Sequence, residues 1–92
     1  MNVVVCYDVS EDRRRTRLMK RLRALLTHVQ KSVFEGDLTD ERLTQLQATI
    51  LDEIDPETDT VRIYRRCARC GDSTAVLGTG IYVDTDDADE IM

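Results

Sequence analysis

A carboxylate and a cluster of arginines follow one another within the first seventeen residues of the chain. Asp8 ends an apolar run that starts at residue 2, and four arginines stand between residues 13 and 17. A carboxylate can hold a hard divalent cation, and guanidinium groups bind phosphate oxygens. This junction can therefore support nucleic-acid binding or chemistry. The alternative interpretation of Asp8 is a turn-forming aspartate that accepts backbone N–H groups near a helix start.

Basic side chains are concentrated between residues 13 and 31. This segment holds eight lysines and arginines and no acidic residue, although the whole chain has a net charge of −5. Such segregation predicts a local phosphate-binding surface, and the alternative is a solvated helix face. Aromatic residues make up only 4% of the chain, which favours a duplex over stacked single-strand bases. The candidate nucleic-acid-binding residues are Arg14, Arg15, Arg17, Arg21 and Lys31.

The elements that position these residues can be read from hydrophobic spacing. The continuous apolar run over residues 2–7 is typical of a strand in the middle of a sheet. Ser10 is a candidate N-cap for a helix over residues 11–26. Arg15 lies at the turn of this helix nearest the strand end, so we expect it to reach back toward Asp8.

Further signals predict two more strands and a second helix before a final short strand. Residues 29–34 form a strand candidate closed by a turn at residues 35–37, and a break at the Glu35–Gly36 bend would give two strands in this region. Thr39 caps a helix that ends before Pro56, and strands are predicted at residues 60–64 and between residues 75 and 83. This order predicts an α+β, ferredoxin-like βαββαβ domain over residues 1–83 with an extra short C-terminal strand. Residues 84–92 are predicted to form an acidic tail.

Two helices on one face of a small antiparallel sheet leave its other face without cover. An uncovered sheet face needs a partner, and a two-fold homodimer through that face is the simplest solution. A dimer axis close to the end of the first strand would bring two Asp8 side chains together. The pair would supply two carboxylates to a cation.

Several classes of protein are disfavoured by composition. We expect a cytoplasmic chain with no membrane partner, because no apolar run reaches the length of a spanning helix and no signal peptide is recognisable. Three cysteines suit a reducing compartment. Cys67 and Cys70 are half of a zinc-binding pattern without a second pair, so no zinc is expected and a tight turn with semi-buried thiols is predicted. Cys6 is expected to point into a strand core.

Three segments in order resemble the CRISPR-associated Cas two family over residues 1 to about 83. They are residues 4–8 with the following arginines, residues 29–35, and residues 60–64 leading into 67–71. The resemblance implies a homodimer that takes part in acquiring CRISPR spacers. In that role it bridges dimers of the spacer integrase, Cas one, and supports the captured DNA duplex. The acidic tail is then a candidate docking segment for the integrase.

The same resemblance implies a magnesium-dependent endonuclease acting on single-stranded RNA or double-stranded DNA. Asp8 corresponds to the aspartate that holds the metal and is the catalytic candidate. Arg15 and Arg17 correspond to the family's functional arginines and Phe34 to its strand phenylalanine, while His28 stands where some relatives carry arginine. Tyr7 and Ser32 are candidate supporting hydroxyls that could orient the attacking water.

Three functions remain open from the sequence. The leading hypothesis is a nucleic-acid-binding scaffold for spacer acquisition with metal-dependent phosphodiesterase activity. The second is a free-standing magnesium-dependent endoribonuclease or double-stranded deoxyribonuclease. The third is a non-catalytic ferredoxin-like regulatory dimer.

Overall fold

An antiparallel sheet forms the frame of the computed structural model, which describes residues 1–67 and 71–78 and the backbone of residues 83–86. Its strands are β1 (Asn2–Asp8), β2 (Thr27–Gln30), β3 (Val33–Asp37), β4 (Thr60–Cys67), β5 (Gly71–Gly78) and β6 (Val83–Asp86), and its helices are α1 (Asp12–Leu22) and α2 (Asp40–Glu53). The strands lie in the order β2-β3-β1-β4-β5-β6. The first four strands and both helices have the ferredoxin-like arrangement, so the predicted fold class is confirmed.

The two faces of the sheet differ, because alternate residues of β1 point to opposite sides. Val3, Val5 and Tyr7 are buried in the single hydrophobic core that the sheet shares with the helices. We call the other side the open face. On β1 it carries Asn2, Val4, Cys6 and Asp8, none of which is buried. Cys6 is therefore half-buried on the open face, and the expectation that it points into the core is wrong.

Helix α1 is shorter than the sequence predicts and has a different N-cap. It spans Asp12–Leu22, and the Glu11 carboxylate accepts a hydrogen bond from the backbone N–H of Arg14 at 3.0 Å. Ser10 does not cap the helix: it lies one residue before the N-cap, and its backbone N–H donates to the Asp59 carboxylate at 3.3 Å. Helix α2 begins after Thr39, whose hydroxyl accepts from the Arg42 N–H, as predicted.

The turn between β2 and β3 lies at residues 31–32, not at residues 35–37 as the sequence suggested. Glu35, Gly36 and Asp37 instead continue β3 and pair with residues 4, 3 and 2 of β1. Gly36 has a packing role, since a side-chain carbon there would lie 3.0 Å from the Leu26 side chain. The strand irregularity falls in β2, between His28 and Gln30.

The C-terminal strands also differ from the prediction. One strand was expected between residues 75 and 83, whereas β5 ends at Gly78 and β6 begins at Val83. Gly78 has φ of +103°, and a side chain there would overlap the Asp59 carbonyl oxygen, so this end of β5 requires glycine. β6 extends three residues past position 83, where the acidic tail was predicted to start. The proposed turn at residues 68–70 and residues 87–92 lie outside the described part of the chain.

Candidate metal and nucleic-acid site

Asp8 is exposed at the C-terminal end of β1, on the open face, opposite Thr60 of β4. Among the described residues its carboxylate forms neither a hydrogen bond nor an ion pair. The interpretation of Asp8 as a turn-forming aspartate is therefore not supported. Its carboxylate oxygens are directed to solvent, where they can bind a cation.

An open depression lies beside Asp8. It is lined by Cys6, Tyr7, Asp8, Thr60 and Arg62. Burial raises the pKa of the Cys6 thiol above 9.0, although the positive charge of Arg62 opposes the increase. Burial of this thiol therefore favours its protonated form. The charged groups of the depression are Asp8 and Arg62.

Arg62 is the residue of this depression that the sequence analysis missed. It is exposed on β4 and pairs in register with Cys6, two residues before Asp8. The available signal was its position in the alternating segment 60–64, where even-numbered residues point away from the core. Only the strand register shows that Arg62 and Asp8 share one end of the open face.

Arg17 and Arg21 of α1 lie against carboxylates at the end of α2. Arg17 donates to Glu53 at 3.0 Å, and Arg21 donates to Glu53 at 2.9 Å and to Asp52 at 2.7 Å. Hydrogen bonds from both arginines lower the pKa of Glu53. Charge segregation along the sequence is therefore partly cancelled in the fold, because α2 brings acids to the basic helix. The side chains of Arg17 and Arg21 remain 57% and 42% exposed, so their outer edges are accessible.

Arg15 reaches back toward the end of β1, as predicted. Its Nη1 donates to the carbonyl oxygen of Val9 at 3.0 Å, and its Nη2 bonds Asp12. The first contact ties α1 to the residue that follows Asp8. Arg15 therefore holds the loop of the candidate site, whether or not it also binds phosphate.

Asp59 is a buried carboxylate that joins three segments, and no sequence signal identified it. Its side chain is 0% exposed and accepts from Arg14 Nε at 2.9 Å, from the Asp55 N–H at 2.8 Å and from the Ser10 N–H. Burial alone would raise the pKa of Asp59. The hydrogen bonds and the charge of Arg14 lower it by more than burial raises it, so the net shift of the pKa is downward. Arg14 thus has a structural partner within the described fold.

Tyr7 and Phe34 lie on the core side of the sheet, away from the Asp8 carboxylate. Their ring centroids are 6.1 Å apart, and both side chains are buried. The Tyr7 hydroxyl donates to the carbonyl oxygen of Lys31 at 3.3 Å, and burial raises the pKa of this hydroxyl. The Tyr7 hydroxyl thus supports the β2–β3 turn, while Tyr7 also lines the depression beside Asp8.

The β2–β3 turn contains two further candidate residues. The side chain of Lys31 is exposed, and half-buried Ser32 accepts the Tyr7 N–H through its carbonyl oxygen. His28 stacks on Phe34 with centroids 4.5 Å apart, and its Nε2 lies 2.9 Å from the Lys31 carbonyl oxygen. The structure thus brings Lys31, Ser32 and His28 together at the turn. It does not bring them to the depression beside Asp8.

The residues at Asp8 suit Mg²⁺ better than a metal that needs several protein ligands. Within the described ranges no three His, Cys, Asp or Glu side chains cluster as a metal site. Mg²⁺ is commonly bound by one or two carboxylates together with waters and substrate phosphates. A single exposed carboxylate without a protein partner fits that pattern. Neither described helix has the length and apolarity that crossing a membrane requires.

Comparisons with known proteins give the family. A sequence model of the family described as CRISPR associated protein Cas2 matches residues 1–74. The chain is 38% identical over 81 residues to "CRISPR-associated endoribonuclease Cas2 1" of Chloroflexus aurantiacus, covering 87% of each chain. It is 39% identical over 77 residues to "CRISPR-associated endoribonuclease Cas2 2" of Thermodesulfovibrio yellowstonii, covering 84% of this chain and 82% of the relative. The chain belongs to the Cas2 family of CRISPR-associated proteins.

Proposed function

We propose that this chain is a metal-dependent endonuclease that also serves, as a homodimer, as a scaffold for spacer acquisition. The observation that carries the nuclease proposal is the exposed, unpartnered carboxylate of Asp8 beside the depression that Arg62 lines. The relatives are named endoribonucleases, so single-stranded RNA is the first substrate to test. Double-stranded DNA is the second.

In this proposal Asp8 would hold the cation at the rim of the depression. When bound, Mg²⁺ supplies positive charge that polarises the phosphate and makes an attacking water more acidic. Arg15 fixes the loop after Asp8 through the Val9 carbonyl oxygen, which limits movement of the carboxylate. The protonated Cys6 thiol contributes no charge to the site.

The nuclease proposal is tested with the purified full-length chain and two end-labelled substrates of equal length. Single-stranded RNA is expected to be cleaved in Mg²⁺ and to remain intact in EDTA. Cleavage of double-stranded DNA alone would favour the deoxyribonuclease alternative. If neither substrate is cleaved in Mg²⁺, the nuclease part of the proposal is wrong and the non-catalytic scaffold remains.

The homodimer is proposed through the open face. Its inner rows carry apolar or weakly polar side chains from four adjacent strands, and Arg62 lies among them, between Cys6 and Val76. Tyr64 is 38% exposed there, in register with Val4. A second copy of the same face would cover these side chains and complete a second sheet layer. The central residues are Val4, Cys6, Val33, Tyr64 and Val76.

A charge placed at the centre of this face is expected to separate the dimer. Tyr64→Asp would bury an unpaired carboxylate in the interface, so dimerisation should weaken at least tenfold. Sedimentation equilibrium measures the dissociation constant. Leu51→Asp is the matched control, because Leu51 is 55% exposed on α2, outside the open face. Equal dimer fractions for both variants would exclude the open face as the interface.

Duplex DNA binding is proposed on the outer edges of Arg17 and Arg21. Glu53→Gln removes the carboxylate charge that both arginines share, so duplex affinity is expected to rise about two- to fivefold with a steeper salt dependence. Fluorescence anisotropy at several salt concentrations measures both quantities. Glu41→Gln removes the same charge at the other end of α2 and is the control. An equal gain in both variants would argue against this surface.

The spacer integrase is the proposed protein partner, and the acidic C-terminal segment is its proposed contact. Truncation after Asp86 keeps all of β6 and removes residues 87–92. We expect the truncated chain to retain its dimer and to bind the integrase at least fivefold more weakly in a titration. Unchanged integrase affinity would show that docking does not use this segment.

A further inference from the structure

We propose that Arg62 is a phosphate-binding residue of the Asp8 site, and that its guanidinium contacts the same RNA phosphate group that Asp8 approaches through the metal. The inference rests on the proposed function of Asp8 and deepens it. It assigns a substrate contact to a residue of β4, outside the arginine-rich helix.

The register makes Asp8, at one end of the open face, and Arg62, in the next row, neighbours on adjacent strands. Asp8 pairs with Thr60 and Cys6 pairs with Arg62, so Arg62 is the diagonal neighbour of Asp8 on the adjacent strand. Diagonal neighbours on one face are about 7–8 Å apart at their Cα atoms, within reach of a long side chain. Both residues line the same depression. A phosphate group can therefore contact both sides of it.

The charges of Asp8 and Arg62 do not neutralise each other in the described structure. No ion pair joins them, and Arg62 forms no hydrogen bond or ion pair with another described residue. The Arg62 guanidinium and the Asp8 carboxylate line the same depression without contacting each other. This arrangement suits a phosphate ligand with a bound metal ion.

Other arginines near the site have different partners. Arg14 binds the buried Asp59 carboxylate, and Arg17 and Arg21 bind carboxylates at the end of α2. Their donors are partly occupied before any nucleic acid arrives. Arg62 keeps the planar set of donors that matches phosphate oxygens. Arg13 at the start of α1 is also exposed, but Arg62 is the arginine that lines the depression together with Asp8.

The test compares Arg62→Ala and Arg62→Lys with Arg66→Ala. Arg66 lies on the same strand and the same face, four residues further from the Asp8 end, and is also exposed. Affinity for a short single-stranded RNA is measured in EDTA at several salt concentrations, and the cleavage rate is measured in Mg²⁺ at saturating RNA. Sedimentation equilibrium of each variant reports the dimer.

Arg62→Ala is expected to weaken RNA binding about tenfold or more and to reduce the salt slope by about one, whereas Arg66→Ala should stay within about twofold of wild type. The cleavage rate should also fall at least tenfold in Arg62→Ala. Arg62→Lys should recover much of the binding but less of the cleavage, because lysine lacks the planar fork.

Two results would overturn the assignment. Equal effects of Arg62→Ala and Arg66→Ala on binding would show that Arg62 has no special contact. Loss of the dimer in Arg62→Ala with unchanged RNA affinity per monomer would make Arg62 an interface residue. The binding measurement in EDTA does not depend on cleavage, so it tests Arg62 even if the wild-type chain proves inactive as a nuclease.

Discussion

Replacing Asp8 with asparagine is expected to reduce Mg²⁺-dependent cleavage at least 100-fold. The amide keeps the size of the side chain but loses the negative charge that holds a hard cation, and metal catalysis of phosphodiester cleavage contributes several kcal/mol. Since Asp8 is exposed and has no partner among the described residues, the fold should be unaffected. Initial cleavage rates and thermal unfolding of the same preparations measure both effects.

Asp37→Asn is the matched control for this variant. Asp37 is also exposed, lies on the same open face and pairs with Asn2 at the opposite end of β1. It should keep the wild-type rate. If Asp8→Asn cleaves as fast as wild type, the carboxylate is not the metal ligand and a contaminating nuclease becomes the explanation. Spacer acquisition by Asp8→Asn would separate scaffolding from cleavage.

The fold could be predicted because its signals are local. The apolar run of β1, the cap at Thr39 and the alternation of residues 60–64 each require only neighbouring residues to be interpreted. Their order limits the topology to few arrangements. The position of Arg15 could also be predicted from nearby residues, because it depends only on the helix turn nearest the end of the strand.

The missed features depend on contacts between distant segments. The turn was misplaced because Gly36 suggested a bend, while the pairing of β3 with β1 keeps it in a strand. The basic helix looked unpaired because Glu53 is 32 residues beyond Arg21. Arg62 and Asp59 belong to the site region only through strand register and burial. Neither hydrophobic periodicity nor a sequence motif indicates the strand register of Arg62 or the burial of Asp59.

These long-range contacts also change how the first seventeen residues should be interpreted. The arginines of α1 were expected to form one phosphate-binding surface, but the structure divides them by partner. Arg14 binds Asp59 inside the protein, Arg15 holds the loop after Asp8, and Arg17 and Arg21 face solvent beside α2. Variants of these residues should therefore differ in whether they affect folding or binding, and stability must be measured with each.

The largest effect on stability is expected for Asp59→Ala. The change leaves the Arg14 guanidinium and the N–H groups of Ser10 and Asp55 without their acceptor, and breaking a buried charged pair typically costs about 3–5 kcal/mol. This is a large part of the 5–15 kcal/mol that stabilises a small domain. Urea unfolding followed by circular dichroism measures the loss. Glu57→Ala, an exposed change in the same loop, should cost less than about 0.5 kcal/mol.

The stability contributed by Asp59 is also expected to depend on pH in a defined direction. Its folded-state pKa is below the ordinary value of 3.8, so the folded protein binds this proton more weakly than the unfolded chain does. The stabilisation is complete above the unfolded pKa and decreases as pH falls below it toward the folded pKa. Glu53 has a lowered pKa as well and contributes in the same direction.

We therefore expect the difference in unfolding free energy between wild type and Asp59→Asn to be constant from pH 7 to about 5 and to shrink below about pH 4. A difference that stays constant down to pH 3 would mean that Asp59 titrates alike in the folded and unfolded states, which would contradict a lowered folded-state pKa.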